Sequence, residues 1–374
     1  MNRDFLFQGG FDVLEKILAD IRPLDGVAIE TAQSRLNNLV KPLGSLGELE
    51  RIAARLSGIS GVPHNDISKR CVIVFASDNG VVEEGVSAAP QAVTYIQTLN
   101  FSKGITGVAV LAKQFHADLI VVDVGVNADI ENAAVINKKI RKGTWNITKQ
   151  PAMTHEEAMQ AILIGVETVT DAVKNGHKLI GVGEMGIGNT TTSAAVLCAL
   201  TGLPPKQATG KGAGLSEEAY RHKVNVVQQA LELNKPNPSD PIDILAKVGG
   251  FDIAAMTGAY IGAAKCQVPV VIDGFISIVA ALCATRLNPL VKDYMFPSHA
   301  SFEQGYKIAA DALGVTPYLH FGMRLGEGSG CPLMFAMLDA ACTIMRDMGT
   351  FEQGNIGEEY LEEVRDADFH IRGM

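Results

Sequence analysis

The chain has 374 residues, 47% of them hydrophobic and 20% charged, which is enough to bury one large core with a smaller piece beside it. A formal charge of −9 leaves no basic face and argues against nucleic acid as a partner, while a small anionic ligand can still be held by local lysines and helix N-termini. The six cysteines (Cys71, Cys198, Cys266, Cys283, Cys331, Cys342) show neither a CxxC pair nor zinc spacing; they read as small buried side chains of a reducing compartment, with no structural metal or disulfide framework.

The opening MNRDFLFQGG lacks an apolar core of signal-peptide length, and the longest apolar run, FISIVAALCA at Phe275–Ala284, is too short to span a bilayer. The expectation is a cytoplasmic protein without membrane association. Apolar residues recur at three- and four-residue spacing over Val13–Ile21, Ile29–Leu39 and Leu46–Leu56, which predicts three helices. From Arg70 the texture changes to short β-rich runs: CVIVFA at Cys71–Ala76, LIVVDV at Leu119–Val124, LIGVG at Leu179–Gly183 and VPVVID at Val268–Asp273. Segments long enough for crossover helices separate them, so the fold class is α/β, a parallel sheet with helices on both faces. A further strand is expected through Pro317–Phe321. Residues from 331 onward turn helical and then strongly charged, and are expected to join the N-terminal helices in a small helical lobe built from both termini. The expected boundaries are 1–60 and 331–374 for that lobe and 61–330 for the large domain.

The strands end in SDNG, GVN, GEMGIGN, DGF and RLGEG. Ligands of open α/β sheets bind at the carboxyl ends of strands, so these loops should share one rim and bring Asp78, Glu184, Asp273 and Glu327 near one cleft. Gly181–Gly186 spells GxGxxG, but no acid follows about twenty residues on, and GIGNTTT lacks a Walker lysine; a dinucleotide site is weakly supported. A plainer role fits better. Gly186 and Gly188 free backbone N–H groups, Asn189 or Thr190 caps the next helix, and the helix dipole favours an anion. TGKGAGL at Thr209–Leu215 is a second glycine-rich loop, with Lys223 following on a helix as a point charge for phosphate or as an ordinary solvated lysine. Asp78 and Asp273 either touch a ribose or cap a helix. Glu327 stands between Gly326 and Gly328 beside Leu325, where partial desolvation would make a better base, though a surface turn glutamate is the competing reading.

Taken together, KPLGSLGELE (Lys41–Glu50), SDNGVVEEGVSAAPQAVT (Ser77–Thr94), VVDVGV, GEMGIGNTTT, TGKGAGL, GGFDIAAMTGA, VIDGFIS, PSHASFEQG (Pro297–Gly305) and RLGEGSG follow one another across almost the whole chain. In that order they resemble the nicotinate-nucleotide:5,6-dimethylbenzimidazole phosphoribosyltransferases, which make the lower-ligand nucleotide of cobalamin. The resemblance implies a Rossmann-like large domain, a small lobe from both termini and a homodimer, with a heterodimer of homologous chains as a variant. It places Glu327 on the family's catalytic glutamate and Glu184 on the nucleotide cradle, as a second catalytic or a positional residue. Its substrate-binding set is Asp78, Ala89, Met185, Gly186, Gly188, Asn189, Thr190, Gly212, Lys223, Ser301 and Leu325.

The implied pentosyl transfer takes phosphoribose from nicotinate mononucleotide to an aromatic base, inverts C1′ and needs neither metal nor organic cofactor. Asn79, Ala89 and Trp145 depart from residues common in the family, which implies altered pocket walls and an acceptor that is dimethylbenzimidazole, another benzimidazole, a purine or a phenol. A non-catalytic homologous subunit is the alternative, and the presence of Glu327, Glu184 and Lys223 weighs against it.

Overall fold

A computed structural model describes residues 3–212 and 214–357; the charged tail from 358, assigned above to the small lobe, lies outside the described residues. The apolar runs become strands β1 (Arg70–Ser77), β2 (Ala117–Gly125), β3 (Val135–Asn137), β4 (Leu179–Met185), β5 (Val270–Ile272) and β6 (Met295–Pro297). Every pairing is parallel, in the order β3-β2-β1-β4-β5-β6. This is the order of Rossmann-type sheets: the chain works outward from β1 in one direction, then returns to β4 and works outward in the other. β1 and β4 flank the reversal and are buried along their whole length, which is why both read as nearly unbroken apolar runs.

Two strands escape the sequence signal and one expected strand is absent. β3 and β6 have three residues each, too short for a pattern to register. The segment 317–321 instead forms an isolated bridge from Leu319 to His299: the Leu319 N–H bonds Ser298 O, and the Ala300 N–H bonds Leu319 O. It extends the pairing just beyond the end of β6 without forming a strand of its own.

Helices surround the sheet. Phe251–Lys265 lies against β1, β2 and β4, and Ala92–Ser102 lies against β1 to β4. The helix His155–Lys174 packs on Phe251–Lys265 with the two backbones in contact. A Cβ at Gly165 would stand 1.9 Å from Ala255 O, and one at Gly258 would stand 1.8 Å from Ile162 O. Among the described residues no helix is long and apolar enough to cross a membrane.

The chain divides into two compact units. One comprises residues up to 22 with 69–334; the other comprises 23–68 with the segment from 335. The helix Arg3–Ala19 therefore goes with the sheet, lying against His155–Lys174, whereas the sequence reading puts residues 1–60 together in the small lobe. In the second unit the helices Gly26–Asn38 and Glu48–Ser60 pack together, and the later segment returns to them. The Phe351 N–H bonds Asn38 O, the Val40 N–H bonds Gly349 O, and Arg35 Nε donates to Met345 O at 2.6 Å. The KPLGSLGELE motif serves structure here: Lys41 pairs with Glu50 at 2.9 Å with both side chains buried, and Glu50 also accepts the Leu46 N–H.

Candidate active site

A cavity of about 380 Å³ opens at the carboxyl ends of β4 and β5, beside the reversal of strand order. It is lined by Glu184 to Thr190 after β4, Asp273 to Ser277 after β5, and Arg324 to Glu327, with Ser87, Val93, Gln97, Gly212, His299, Ser301 and Glu303 completing it. A larger groove of about 980 Å³ runs along His155–Lys174 near Lys138 and Lys139, and none of the expected site residues lines it. Chemistry and topology both select the smaller cavity.

Glu327 is 5% exposed, not a surface turn residue. Its Oε1 accepts from Gln97 Nε2 at 2.6 Å, and its Oε2 faces the N–H of Val108 at 3.4 Å, in the first turn of the helix Gly107–Gln114. Gly326, Glu327 and Gly328 all have positive φ, +83°, +64° and +83°. For glutamate the left-handed conformation costs about 1–3 kcal/mol and persists only where the surroundings enforce it. They do so through β4. A Cβ at Gly183 would lie 2.4 Å from Gly328 N, and one at Gly326 would lie 2.3 Å from Glu184 Oε1, so the turn rests directly on the strand.

Behind Glu327 sits a buried group of acids. Glu184 Oε1 accepts the Glu327 N–H at 3.4 Å, while Asn189 Nδ2 donates both to Glu184 Oε2 and to Asp252 Oδ2, the latter at 2.9 Å. Burial pushes Glu184 up to about 8, with Asp252 and Asp273 adding repulsion and the Asn189 bond opposing it. Burial likewise raises Asp252 to about 6 and Asp273 to about 7. Near neutral pH Glu184 keeps its proton and can act as an O–H donor at the cavity wall.

The other end of the cavity suits an anion. Lys223 is buried, donates from Nζ to Thr190 Oγ1 at 2.8 Å, and is lowered by burial to about 8, with Glu303 acting in the opposite direction. Gly212 brings its backbone against that pair: a Cβ there would lie 3.4 Å from Lys223 Nζ and 3.5 Å from Thr190 Oγ1. Gly188 is the N-cap of the helix Asn189–Thr201, and Thr190 in its first turn lines the cavity with Gly212 and Ser301, Lys223 lying behind Thr190. Among the described residues no group of three or more metal-ligating side chains is present.

The structure thus gathers Glu327, Glu184, Met185, Gly186, Gly188, Asn189, Thr190, Gly212, Ser301 and Leu325 on one cavity wall, with Lys223 directly behind Thr190. Asp78 and Ala89 fall outside the lining. Asp78 Oδ2 accepts the Asn127 N–H at 2.7 Å, tying the SDNG and GVN loops to each other, and the Ala89 N–H points to Ser87 Oγ at 3.2 Å. The reading of Asn79 and Trp145 as pocket walls fails as well. Asn79 is fully buried, accepting from Thr192 Oγ1 at 3.4 Å, and Trp145 stacks on the Arg141 guanidinium at 4.0 Å. Sequence reasoning misses Gln97, Val93, Ser87, Glu303, His299 and Asp252. Val93 and Gln97 are four apart on the helix Ala92–Ser102, and that spacing is the available signal.

Comparison with known proteins agrees with this geometry. A family model described as phosphoribosyltransferase matches residues 21–356. The chain is 55% identical over 359 residues to a nicotinate-nucleotide–dimethylbenzimidazole phosphoribosyltransferase of Clostridium perfringens, covering 96% of this chain and 99% of the relative. It is 48% identical over 355 residues to the enzyme of the same name from Clostridium tetani, covering 95% and 98%. The crystal structure of the enzyme of that name from Thermus thermophilus superposes with a TM-score of 0.84 at 37% identity, covering 89% of this chain and 99% of that one. The chain belongs to the nicotinate-nucleotide–dimethylbenzimidazole phosphoribosyltransferase family.

Proposed function

We propose that this enzyme transfers the 5-phosphoribosyl group of nicotinate mononucleotide to a ring nitrogen of 5,6-dimethylbenzimidazole or a closely related aromatic base, for cobamide synthesis, with Glu327 as general base. The observation that carries the reading is the placement of Glu327: a buried carboxylate opening into the cavity, tethered by Gln97 and faced by the Val108 N–H.

The chemistry follows from what each end must supply. In the donor the nicotinate nitrogen is a pyridinium, so it departs from C1′ with the bonding electron pair and needs no proton. The acceptor nitrogen attacks C1′ from the opposite face as its other ring nitrogen gives its proton to Glu327. A β-glycoside becomes an α-glycoside, and nicotinate is released. Thr190, Gly212, Ser301 and Lys223 hold the 5′-phosphate, which aligns C1′ through contacts remote from the reacting atoms. Glu184, protonated near neutrality, donates to a ribose hydroxyl. We further propose a cytoplasmic homodimer; the cytoplasmic assignment is supported by six cysteines outside any disulfide, five of them buried.

The test is nicotinate release from nicotinate mononucleotide with dimethylbenzimidazole, phenol, p-cresol and adenine as acceptors. The expected result is preference for the benzimidazole and a loss of about 10²- to 10⁴-fold in Glu327→Gln, the range for removing a positioned base. A Glu327→Gln enzyme within a few-fold of wild type would falsify the assignment of the base.

A further inference from the structure

Asp273 ends the run of β5 and opens into the cavity beside Glu327, yet both of its carboxylate oxygens are already engaged by backbone. Oδ2 accepts the Gly328 N–H at 3.0 Å, and Oδ1 accepts the Gly330 N–H at 2.7 Å. These two donors closely follow Glu327, the first of them within the left-handed turn. Asp273 is itself held on both sides of its backbone: its N–H donates to Ser277 Oγ and its carbonyl accepts from Ser298 Oγ, each at 3.1 Å. Ser277 is anchored in turn to Val182 O of β4 at 3.2 Å. Gly330 fits only because it lacks a side chain, since a Cβ there would lie 2.8 Å from Asp273 Oδ1 and 2.3 Å from His299 Nδ1.

A turn with Glu327 at φ +64° is not a conformation that glutamate chooses, and it requires outside bracing to be the single state. We propose that Asp273 is the positioning residue for Glu327, clamping Gly328 and Gly330 so that the base is presented to the acceptor in one geometry. The inference rests on Glu327 being the base. It assigns Asp273 no contact with the reacting atoms. Its burial, with both carboxylate oxygens taken by backbone N–H groups, suits a role in which the side chain is spent on the loop rather than on the ligand.

Asp273→Asn keeps the volume but turns an NH₂ toward one of the two N–H donors, so one clamp bond is lost and two donors face each other. The test is steady-state kinetics of wild type, Asp273→Asn, Glu327→Gln and the double variant, with dimethylbenzimidazole as acceptor. Asp273→Asn is expected to lower kcat about 100-fold, the scale for slight misplacement of a reacting group, with the KM for nicotinate mononucleotide near that of wild type. Residues that act as one unit are non-additive, so the double variant should be little worse than Glu327→Gln alone. Ser298→Ala, which removes the hydroxyl holding the Asp273 carbonyl together with its bond to His299 Nδ1, should show a smaller kcat loss with the same non-additivity, and stands in if Asp273→Asn does not fold. A double variant whose loss is the product of the two single losses overturns the proposal, because Asp273 then works independently. Loss in Glu327→Gln with none in Asp273→Asn and Ser298→Ala removes this inference alone. Full activity in Glu327→Gln removes the base assignment and the inference with it.

Discussion

Gly183 and Glu327 meet backbone to backbone: a Cβ built on Gly183 would stand 2.5 Å from the Glu327 carbonyl carbon. The strand and the turn are therefore set against each other with no room for a methyl group, and neither backbone is free to yield. Gly183→Ala is expected to push the turn off β4 and lower kcat about 100-fold, with a reduced melting temperature. Nicotinate release and a thermal melt check both; wild-type kcat in this variant would show that the turn accommodates displacement.

Asn189 is the donor that lets two buried acids share one space. Its Nδ2 serves Glu184 and Asp252 together. Asn189→Ala leaves both without that bond and should cost about 1–3 kcal/mol of unfolding free energy, the scale for a buried polar group left unsatisfied. Asn189→Asp replaces the donor by a third acid and should cost more. Denaturant titration at pH 8 checks the order, and equal stability of wild type and Asn189→Asp would refute it.

The same acids give stability a pH dependence with a definite sign. Glu184 and Asp273, raised by burial to about 8 and about 7, keep their protons in the folded chain where the unfolded chain has lost them. The native state binds more protons, so their contribution falls as pH rises toward the folded values. His299, lowered to about 4 by burial, acts in the opposite sense only below its ordinary value of 6.5. Lys223, lowered to about 8, adds stability only as pH rises above that value. Between about pH 6.5 and 8 the unliganded enzyme should therefore melt at lower temperature as pH increases, with a shallower slope in Glu184→Gln. A flat profile in the wild type counts against protonated acids in the cluster.

Lys223 carries a kinetic prediction. In the proposed function its charge holds the phosphate, and that charge is lost as pH rises through about 8 in the free enzyme. The ratio kcat/KM for nicotinate mononucleotide should fall above that pH. Lys223→Met should raise KM about 10- to 100-fold, the worth of a charged hydrogen bond, and should flatten that limb. A limb unchanged in Lys223→Met would assign the titration to another group, Glu184 first.

Much of this was legible in the chain, for identifiable reasons. β1, β2 and β4 announce themselves because buried parallel strands need apolar residues on both faces, and the glycine-rich turns mark where those strands end. Glu327 and the Gly186–Thr190 loop stand out because side chain and backbone there are doing something a plain turn does not require. The part of the cavity lined by Val93 and Gln97 was hard to read. Gln97 and Val93 come from one helix face in an otherwise ordinary segment, and a pocket assembled by tertiary packing leaves little local pattern. Trp145 shows the converse: it is unusual in sequence, yet it packs on Arg141 away from the cavity. Asp78 ends a strand as expected, but its partner is the neighbouring loop, and only the register of β1 against β2 reveals that.

The crossing of His155–Lys174 over Phe251–Lys265 has a consequence for heredity. At Gly165 and Gly258 the opposing carbonyl oxygen occupies the place where a side chain would begin. No smaller residue exists, and every missense change of a glycine codon adds at least one carbon. Both positions are therefore closed to gradual exploration: neither has a neighbouring genotype that keeps the contact. Asp252 stands in the first turn of one of these helices, so one helix carries both this seam and a member of the acid cluster. Variants that fail at Gly165 or Gly258 will resemble active-site mutants in a screen, although the fault lies in the spacing of two helices.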